Sequence, residues 1–302
     1  MKPKAFLKFV ARGCLAIALL LNGTGFLAAY FLTHYQSGSS FGVSRSQNYN
    51  DPQDFGLTYQ THQIPLADGS WLHSWLIPAD GEGKGIVLLF HGKDSNKSSL
   101  MHPAKILNQL GYHTLLVDFR GAGRSSGNKT TIGIEEGKDV AAAVDYLSQL
   151  PAYSTYSPIL YGISMGSAAI LEAIANHNIE PRAIILELPF ATLLSAVKAR
   201  LTNSSLPASP MAELIVFWGG VQHGFNGFAH QPIEDAQFVT CPTLILAGES
   251  DSTVTVTEVE SLRDSLQGQH RLTVFPNAGH NILAQFAPKL WQEETSGFLS
   301  SL

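Results

Sequence analysis

Six short apolar runs recur along the chain, at residues 85–90, 113–118, 159–163, 183–187, 243–247 and 272–275, with longer stretches of helical periodicity between them. Short runs without a polar alternate position suit strands buried on both faces, and their alternation with helices is the pattern of βαβ units around a parallel sheet. The helix predicted over residues 134–150 keeps Val140, Ala143, Val144 and Leu147 on one stripe, and Glu135, Glu136 and Asp139 lie near its start. Carboxylates there meet the positive end of the helix dipole. Pro151 ends it. Upstream, residues 58–65 and 71–77 flank Ala67-Asp68-Gly69-Ser70, where Asp-Gly predicts a tight turn. This opening hairpin and the six runs predict an eight-stranded, mostly parallel α/β sheet.

One interval breaks the rhythm. More than fifty residues separate Glu187 from Thr243, more than one crossover helix needs. Within residues 200–231, Phe217, Trp218, Phe225 and Phe228 stand among glycines and prolines. This reads as a short lid over a site, or as an extra packed helix and loop.

The first fifty residues follow a different pattern. Lys2, Lys4, Lys8 and Arg12 precede an apolar run from Cys14 to Leu32, and no Asp, Glu, Lys or Arg follows until Arg45. Nineteen residues at 1.5 Å rise span roughly 28 Å, about the thickness of a bilayer's hydrocarbon core. The basic flank predicts a single-pass anchor with a cytoplasmic N-terminus and the rest of the chain on the other side. A cleaved signal peptide is the alternative, with a secreted or periplasmic product. Against it, apolar sequence resumes at residues 26–32 after Asn22-Gly23-Thr24-Gly25, and no cleavage site stands out beyond. Residues 33–54, rich in Ser, Gly, Gln and Asn, read as a linker, and the domain is expected over 55–302.

Composition narrows the field. With 302 residues, 45% of them hydrophobic, the chain is long enough for one large core. A net charge of −5 supplies no basic stripe for a phosphate backbone, so nucleic acid is not an expected partner. Cys14 lies in the N-terminal apolar stretch, which leaves Cys241 as the single thiol of the globular part.

The chemistry centres on Gly162-Ile163-Ser164-Met165-Gly166, entered from an apolar run and left by the small residues Ser167-Ala168-Ala169. A strand that turns this sharply into a helix leaves no space for a Cβ at either glycine, and it holds the serine Oγ out from the sheet. Gly-x-Ser-x-Gly recurs by chance, and its strand-before, helix-after context is what gives it meaning here. A serine hydroxyl needs a base. Of eleven histidines, His280 follows the last apolar run and so falls at the carboxyl edge of the sheet. Asp251 follows the run at 243–247 and suits the carboxylate that orients the base, with Glu249 as the neighbouring alternative. An oxyanion needs two N–H donors. The backbone amides of Met165 and of Lys93, in His91-Gly92-Lys93, are the expected pair.

Six landmarks carry a family resemblance: residues 85–92, 117–125 and 162–166, Glu187-Leu188-Pro189-Phe190, residues 248–251, and Gly279-His280. From about residue 57 onward the chain resembles the α/β-hydrolase superfamily, in its serine-aminopeptidase-like and monoacylglycerol-lipase-like branch, which includes membrane-anchored members. The resemblance implies the α/β-hydrolase fold. It assigns the acid to the last residue of Gly-x-x-Asp, Asp251, in preference to Glu249, and a structural role to residues 118–125. The chain departs from the family pattern at Lys93, where a small or amide residue is commoner, and at Thr255, where proline is frequent. A serine at the elbow argues against the aspartate-nucleophile chemistry also found in this fold.

The expected activity is hydrolysis of a carboxylic ester or thioester through Ser164, His280 and Asp251, on an acyl substrate that is small or lipid-like. The alternatives are a serine peptidase and a noncatalytic binding module at the membrane. No cofactor or metal is expected. Gly121-Ala122-Gly123-Arg124-Ser125-Ser126-Gly127 is one residue too long for a dinucleotide loop, residues 81–84 lack P-loop spacing, and neither His-Glu-x-x-His nor paired Cys-x-x-Cys occurs.

Overall fold

Strands β5 (Ile86–Phe90), β6 (His113–Val117), β7 (Ile159–Ile163), β8 (Ala183–Glu187) and β9 (Thr243–Gly248) are buried at every position, because helices cover both faces of the sheet they form. These strands were observed in a computed structural model that describes residues 3–36, 43–44 and 51–302. The full sheet has eight strands in the order β10-β9-β8-β7-β5-β6-β4-β3, with β3 at Gln60–Pro65, β4 at Trp71–Ile77 and β10 at His270–Phe275. Strand β4 runs antiparallel to β3 and β6, and every other pairing is parallel. Edge strand β3 is exposed at four of its six positions and edge strand β10 at three of six, as strands with one unpaired side are. The opening hairpin turns on Gly69, at φ 81°, with the Ser70 amide donating to the Asp68 carboxylate at 2.9 Å.

Successive residues of each buried strand feed opposite cores, as the period of two requires. Leu88, Phe90, Leu160, Ile184 and Ile245 pack with α3 (Ile134–Ser148), α4 (Met165–Asn176) and α8 (Val256–Arg263). Val87, Leu89, Tyr161, Ile185 and Leu244 pack on the other face with α2 (Met101–Gln109), α9 (Leu283–Phe286) and α10 (Pro288–Ser300). From β5 the chain continues to β6 on one side, and β7 lies on β5's other side. The carboxyl ends of β5 and β7 therefore border the crevice where ligands of open α/β sheets bind.

Asp118, just past β6, organises the loops beside that crevice. Its buried carboxylate pairs with the buried Lys97 ammonium and accepts the amides of Lys97 at 2.8 Å and Arg124 at 2.9 Å. A Cβ on Gly123, at φ 49°, would meet that carboxylate at 2.2 Å, so the loop closes over it only with glycine there. The Phe119 amide donates to His91 Nε2 at 3.1 Å, which ties this arrangement to the loop after β5. The structural role expected of residues 118–125 has this physical content.

The long interval between β8 and β9 holds α5 (Leu193–Asn203), α6 (Met211–His223) and α7 (Pro232–Asp235). The N-terminal helix α1 (Pro3–Thr33) is long and apolar enough to cross a membrane. Its last turns lie on α6: Ala29 is buried, Phe26 meets Trp218 edge-on at 5.5 Å, and Gln222 Nε2 donates to the Phe26 carbonyl at 2.8 Å. The linker expected from residue 33 begins with docked residues. Thr33, His34 and Tyr35 are buried, the Thr130 amide donates to Thr33 at 2.9 Å, and His34 bridges to Lys129. The two-residue strands β1 (Tyr35–Gln36) and β2 (Val43–Ser44) pair in parallel. The rest of that stretch, residues 37–42 and 45–50, lies outside the described residues.

Lys97→Met would strand the Asp118 carboxylate in a fully buried site. Unfolding measurements should show a loss of about 3–5 kcal/mol. A loss under about 1 kcal/mol would mean that the ion pair does not hold this corner.

Candidate active site

The turn from β7 into α4 is as tight as backbone allows. A Cβ on Gly162 would lie 2.5 Å from the Gly166 carbonyl, and one on Gly166 would lie 2.4 Å from the Phe90 carbonyl of β5. Ser164 between them has φ 52° and ψ −108°, a left-handed conformation that costs a non-glycine residue energy. Its amide is held by the Glu187 carbonyl at 2.8 Å. The hydroxyl projects at the start of α4, where first-turn amides have no partner within the helix.

The loops after β9 and β10 meet because Gly248 has no side chain. A Cβ there would strike the carbonyls of Ala278 and Gly279 at 2.6 and 2.7 Å. The Ser250 amide donates to Ala278 at 2.8 Å and locks the two loops together. This contact brings Asp251 to His280. His280 Nδ1 lies 2.7 Å from Asp251 Oδ2, and Nε2 lies 3.1 Å from Ser164 Oγ. Asp251 Oδ1 also accepts the amides of Thr253 at 2.7 Å and Val254 at 2.9 Å, so the carboxylate has one orientation. Glu249, the other acid considered, is exposed and accepts the Asn277 amide at 2.9 Å, bracing the turn before His280.

Met165 is the first residue of α4. The loop carrying Lys93 lies against the serine turn: a Cβ on Gly92 would be 3.4 Å from the Ile163 carbonyl and 3.8 Å from Ser164 Cβ. The Lys93 side chain is almost wholly buried, with its ammonium 2.6 Å from Asp94. Burial pushes that ammonium below the usual lysine range, and Asp94 pulls it part of the way back. Helix α5 reaches the same rim, where Asn203 Nδ2 donates to the Ser252 carbonyl at 3.3 Å.

One cleft of some 790 Å³, lined by Thr155, Arg182 and Cys241 among others, opens at the amino ends of the strands, away from Ser164. Burial pushes the Cys241 thiol there up to about 11, so it is a poor nucleophile at neutral pH. Among the described residues, Glu172, His230 and Asp235 bring potential metal-ligand atoms within 4.8 Å of one another, with Glu172 two turns along α4 from Met165. The Ser164 cluster contains no such trio. Glu187 was read from the sequence as a strand end and as the first residue of the landmark Glu187-Leu188-Pro189-Phe190, with no role of its own. It is fully buried, and its carboxylate accepts from Tyr161, Leu283 and Trp291. The available signal was an acid closing an otherwise apolar run.

Residues 81–216 match the family model described as serine aminopeptidase, S33, and residues 202–295 match the dienelactone hydrolase family. A solved esterase from Pyrococcus furiosus superposes with a TM-score of 0.71 at 22% identity, covering 85% of this chain and 96% of that one. The chain has the α/β-hydrolase fold. An uncharacterised protein of Mycobacterium tuberculosis is 29% identical over 72% of this chain and 71% of its own length. Protein bem46 of Schizosaccharomyces pombe is 26% identical over 60% of each chain. Lysophosphatidylserine lipase ABHD12 of Gallus gallus is 23% identical over 82% of this chain, which spans 65% of the relative.

Substituting Gly166 by alanine tests the tightest contact of this turn. The variant should lose at least about 2 kcal/mol of stability, because the Phe90 carbonyl belongs to a central strand paired on both sides and cannot withdraw without breaking that pairing. Wild-type stability in a denaturant titration would contradict this packing.

Proposed function

We propose that this protein is a serine hydrolase that cleaves a carboxylic ester or thioester through an acyl-enzyme on Ser164. The observation that carries the proposal is the unbroken line of contacts from Ser164 Oγ to His280 Nε2 at 3.1 Å and from His280 Nδ1 to Asp251 at 2.7 Å. With Nδ1–H donated to Asp251, Nε2 carries the lone pair that faces the hydroxyl. As Ser164 attacks the carbonyl carbon, His280 takes its proton, and Asp251 stabilises the resulting imidazolium. The oxyanion is placed against the amides of Met165 and Lys93. His280 then returns the proton to the departing alkoxide or thiolate. Water, activated by the same imidazole, releases the acid.

Esters and thioesters come first because the leaving group needs little help beyond one proton. The match to a serine aminopeptidase family supports a peptide as the second reading. For organisation, we assign residues 1–32 to a membrane anchor with a cytoplasmic N-terminus, 33–54 to a linker and 55–302 to the catalytic domain. The lid is assigned to about 200–231, and a cleaved signal sequence is the competing reading of α1. The length and apolarity of α1 support the anchor, and the α5 contact with the Ser252 carbonyl supports a lid beside the site. Of the aromatic residues in this segment, Trp218 packs on Phe26 and Phe217. An apolar acyl group therefore draws its support from the lipase and esterase relatives more than from these rings.

A fluorophosphonate probe should label the purified protein once, and Ser164→Ala should abolish labelling. Persistent labelling of that variant would move the nucleophile elsewhere, and no labelling of the folded wild type would favour a noncatalytic module. Asp251→Asn should lower kcat by about 10⁴-fold through the wrong imidazole tautomer. A panel of short acyl esters, thioesters and aminoacyl amides separates esterase from peptidase. The wild-type rate should rise with pH along an acid limb, because the base must be unprotonated to take the serine proton. A rate independent of pH would contradict a histidine base. Membrane fractionation with sequencing of the mature N-terminus tests the anchor, which a soluble product starting near residue 33 would overturn.

A further inference from the structure

Glu187 stands at the end of β8 with no exposure to solvent. A buried carboxylate is costly unless its lone pairs are filled. Here three donors fill them. Tyr161 donates its hydroxyl to Oε2 at 2.7 Å, Trp291 its indole N–H to Oε2 at 3.0 Å, and Leu283 its amide to Oε1 at 2.7 Å. The last two are groups that can only donate and so call for acceptor oxygens, whereas the Tyr161 hydroxyl could also accept from a neutral acid. Burial pushes the carboxyl up, and the three donors, together with the nearby His280, pull it only part of the way back.

The same residue reaches the active site twice. Through its backbone, the carbonyl accepts the Ser164 amide at 2.8 Å and the Ser167 hydroxyl at 3.1 Å. Through its side chain, it grips the first amide of α9, three residues past His280. The nucleophile turn comes from β7 and α4, and the base comes from the loop after β10. Their separation of 3.1 Å depends on two segments that share no strand pairing with each other.

We infer that Glu187 is a positioning residue for the proposed hydrolysis: it clamps the Ser164 turn and the His280 loop to one point, and its buried charge favours the imidazolium formed during attack. The inference rests on the Ser164–His280 reading given above. The charged and titratable groups that face the imidazole are Asp251 from the β9 loop, Ser164 from the elbow and Glu187 from β8. Those that face Glu187 are Tyr161 of β7 and His280 itself, with Trp291 of α10 and Leu283 of α9 as neutral donors. Asp251 fixes the tautomer through a direct hydrogen bond. Glu187 acts from behind the loop.

Two variants separate its two roles. Glu187→Gln keeps the size and removes the charge. Leu283→Pro removes the N–H that reaches the carboxylate and leaves the charge in place. Proline is accepted at the first position of a helix, and the preceding Ile282, at φ −63° and ψ 109°, already has the extended backbone that proline demands of its neighbour. Wild-type ester turnover and probe labelling at Ser164 are measured first, and their absence sinks the underlying reading without bearing on Glu187. Given wild-type activity, both variants should lose about 10- to 100-fold in kcat, with KM within about 2-fold of wild type, because the base is displaced while the binding surface is not.

Glu187→Gln should also move the acid limb of the pH–rate profile to lower pH, since losing a nearby negative charge makes the imidazolium release its proton more readily. Leu283→Pro should leave that limb unmoved. Folded Glu187→Gln protein with wild-type kcat and an unmoved limb would overturn the inference. If Glu187→Gln does not fold, Leu283→Pro decides: kcat lowered at constant KM supports the clamp, and wild-type kcat overturns it.

Discussion

The absence of room around the turn between β7 and α4 governs the architecture of the site. Gly162 touches the α4 backbone and Gly166 touches the β5 carbonyl, with no space for a methyl group at either. Three things follow from this single contact. The helix starts immediately under the serine, the serine is forced to a positive φ, and the loop after β5 is drawn up beside it. A second close approach, at Gly248, brings the β9 and β10 loops together and so delivers Asp251 to His280. Side-chain chemistry here is arranged by places where side chains are missing.

Buried ionic groups then pin the loops that the backbone has brought near. Lys97 and Asp118 hold the segment under His91, and Asp251 is fixed by two amides of its own loop. Glu187 joins the serine turn to the start of α9. Each is a costly group in an apolar setting, and each is retained with its hydrogen-bonding capacity filled. The arrangement trades stability for geometry, which suits a site whose function depends on a few tenths of an ångström.

Much of this was legible along the chain, for physical reasons. Strands buried on both faces show as uninterrupted apolar runs, and those at 159–163 and 183–187 match β7 and β8 to the residue. Edge strand β10 begins two residues earlier than its apolar run, because His270 and Arg271 are exposed and carry no hydrophobic signal. The predicted helix over 134–150 ends two residues early, before Pro151 enforces it. Ser164, Asp251 and His280 were named from their places after strands, and the structure brings His280 within hydrogen-bonding reach of both others. Glu249 could be separated from Asp251 only by the family pattern, since both follow the same strand. Two features were not legible. Packing of α1 on α6 joins segments some two hundred residues apart, and the role of Glu187 depends on what surrounds it in space.

The central claim is that one hydroxyl, activated by one imidazole, carries the acyl group. Its most direct test is intact-mass and peptide-level mass spectrometry of the protein quenched during turnover of a slow acyl ester. The account predicts one added acyl group, confined to the peptide that contains Ser164. An acyl group on any other residue, or turnover with no covalent intermediate in wild type and in His280→Ala alike, would contradict it.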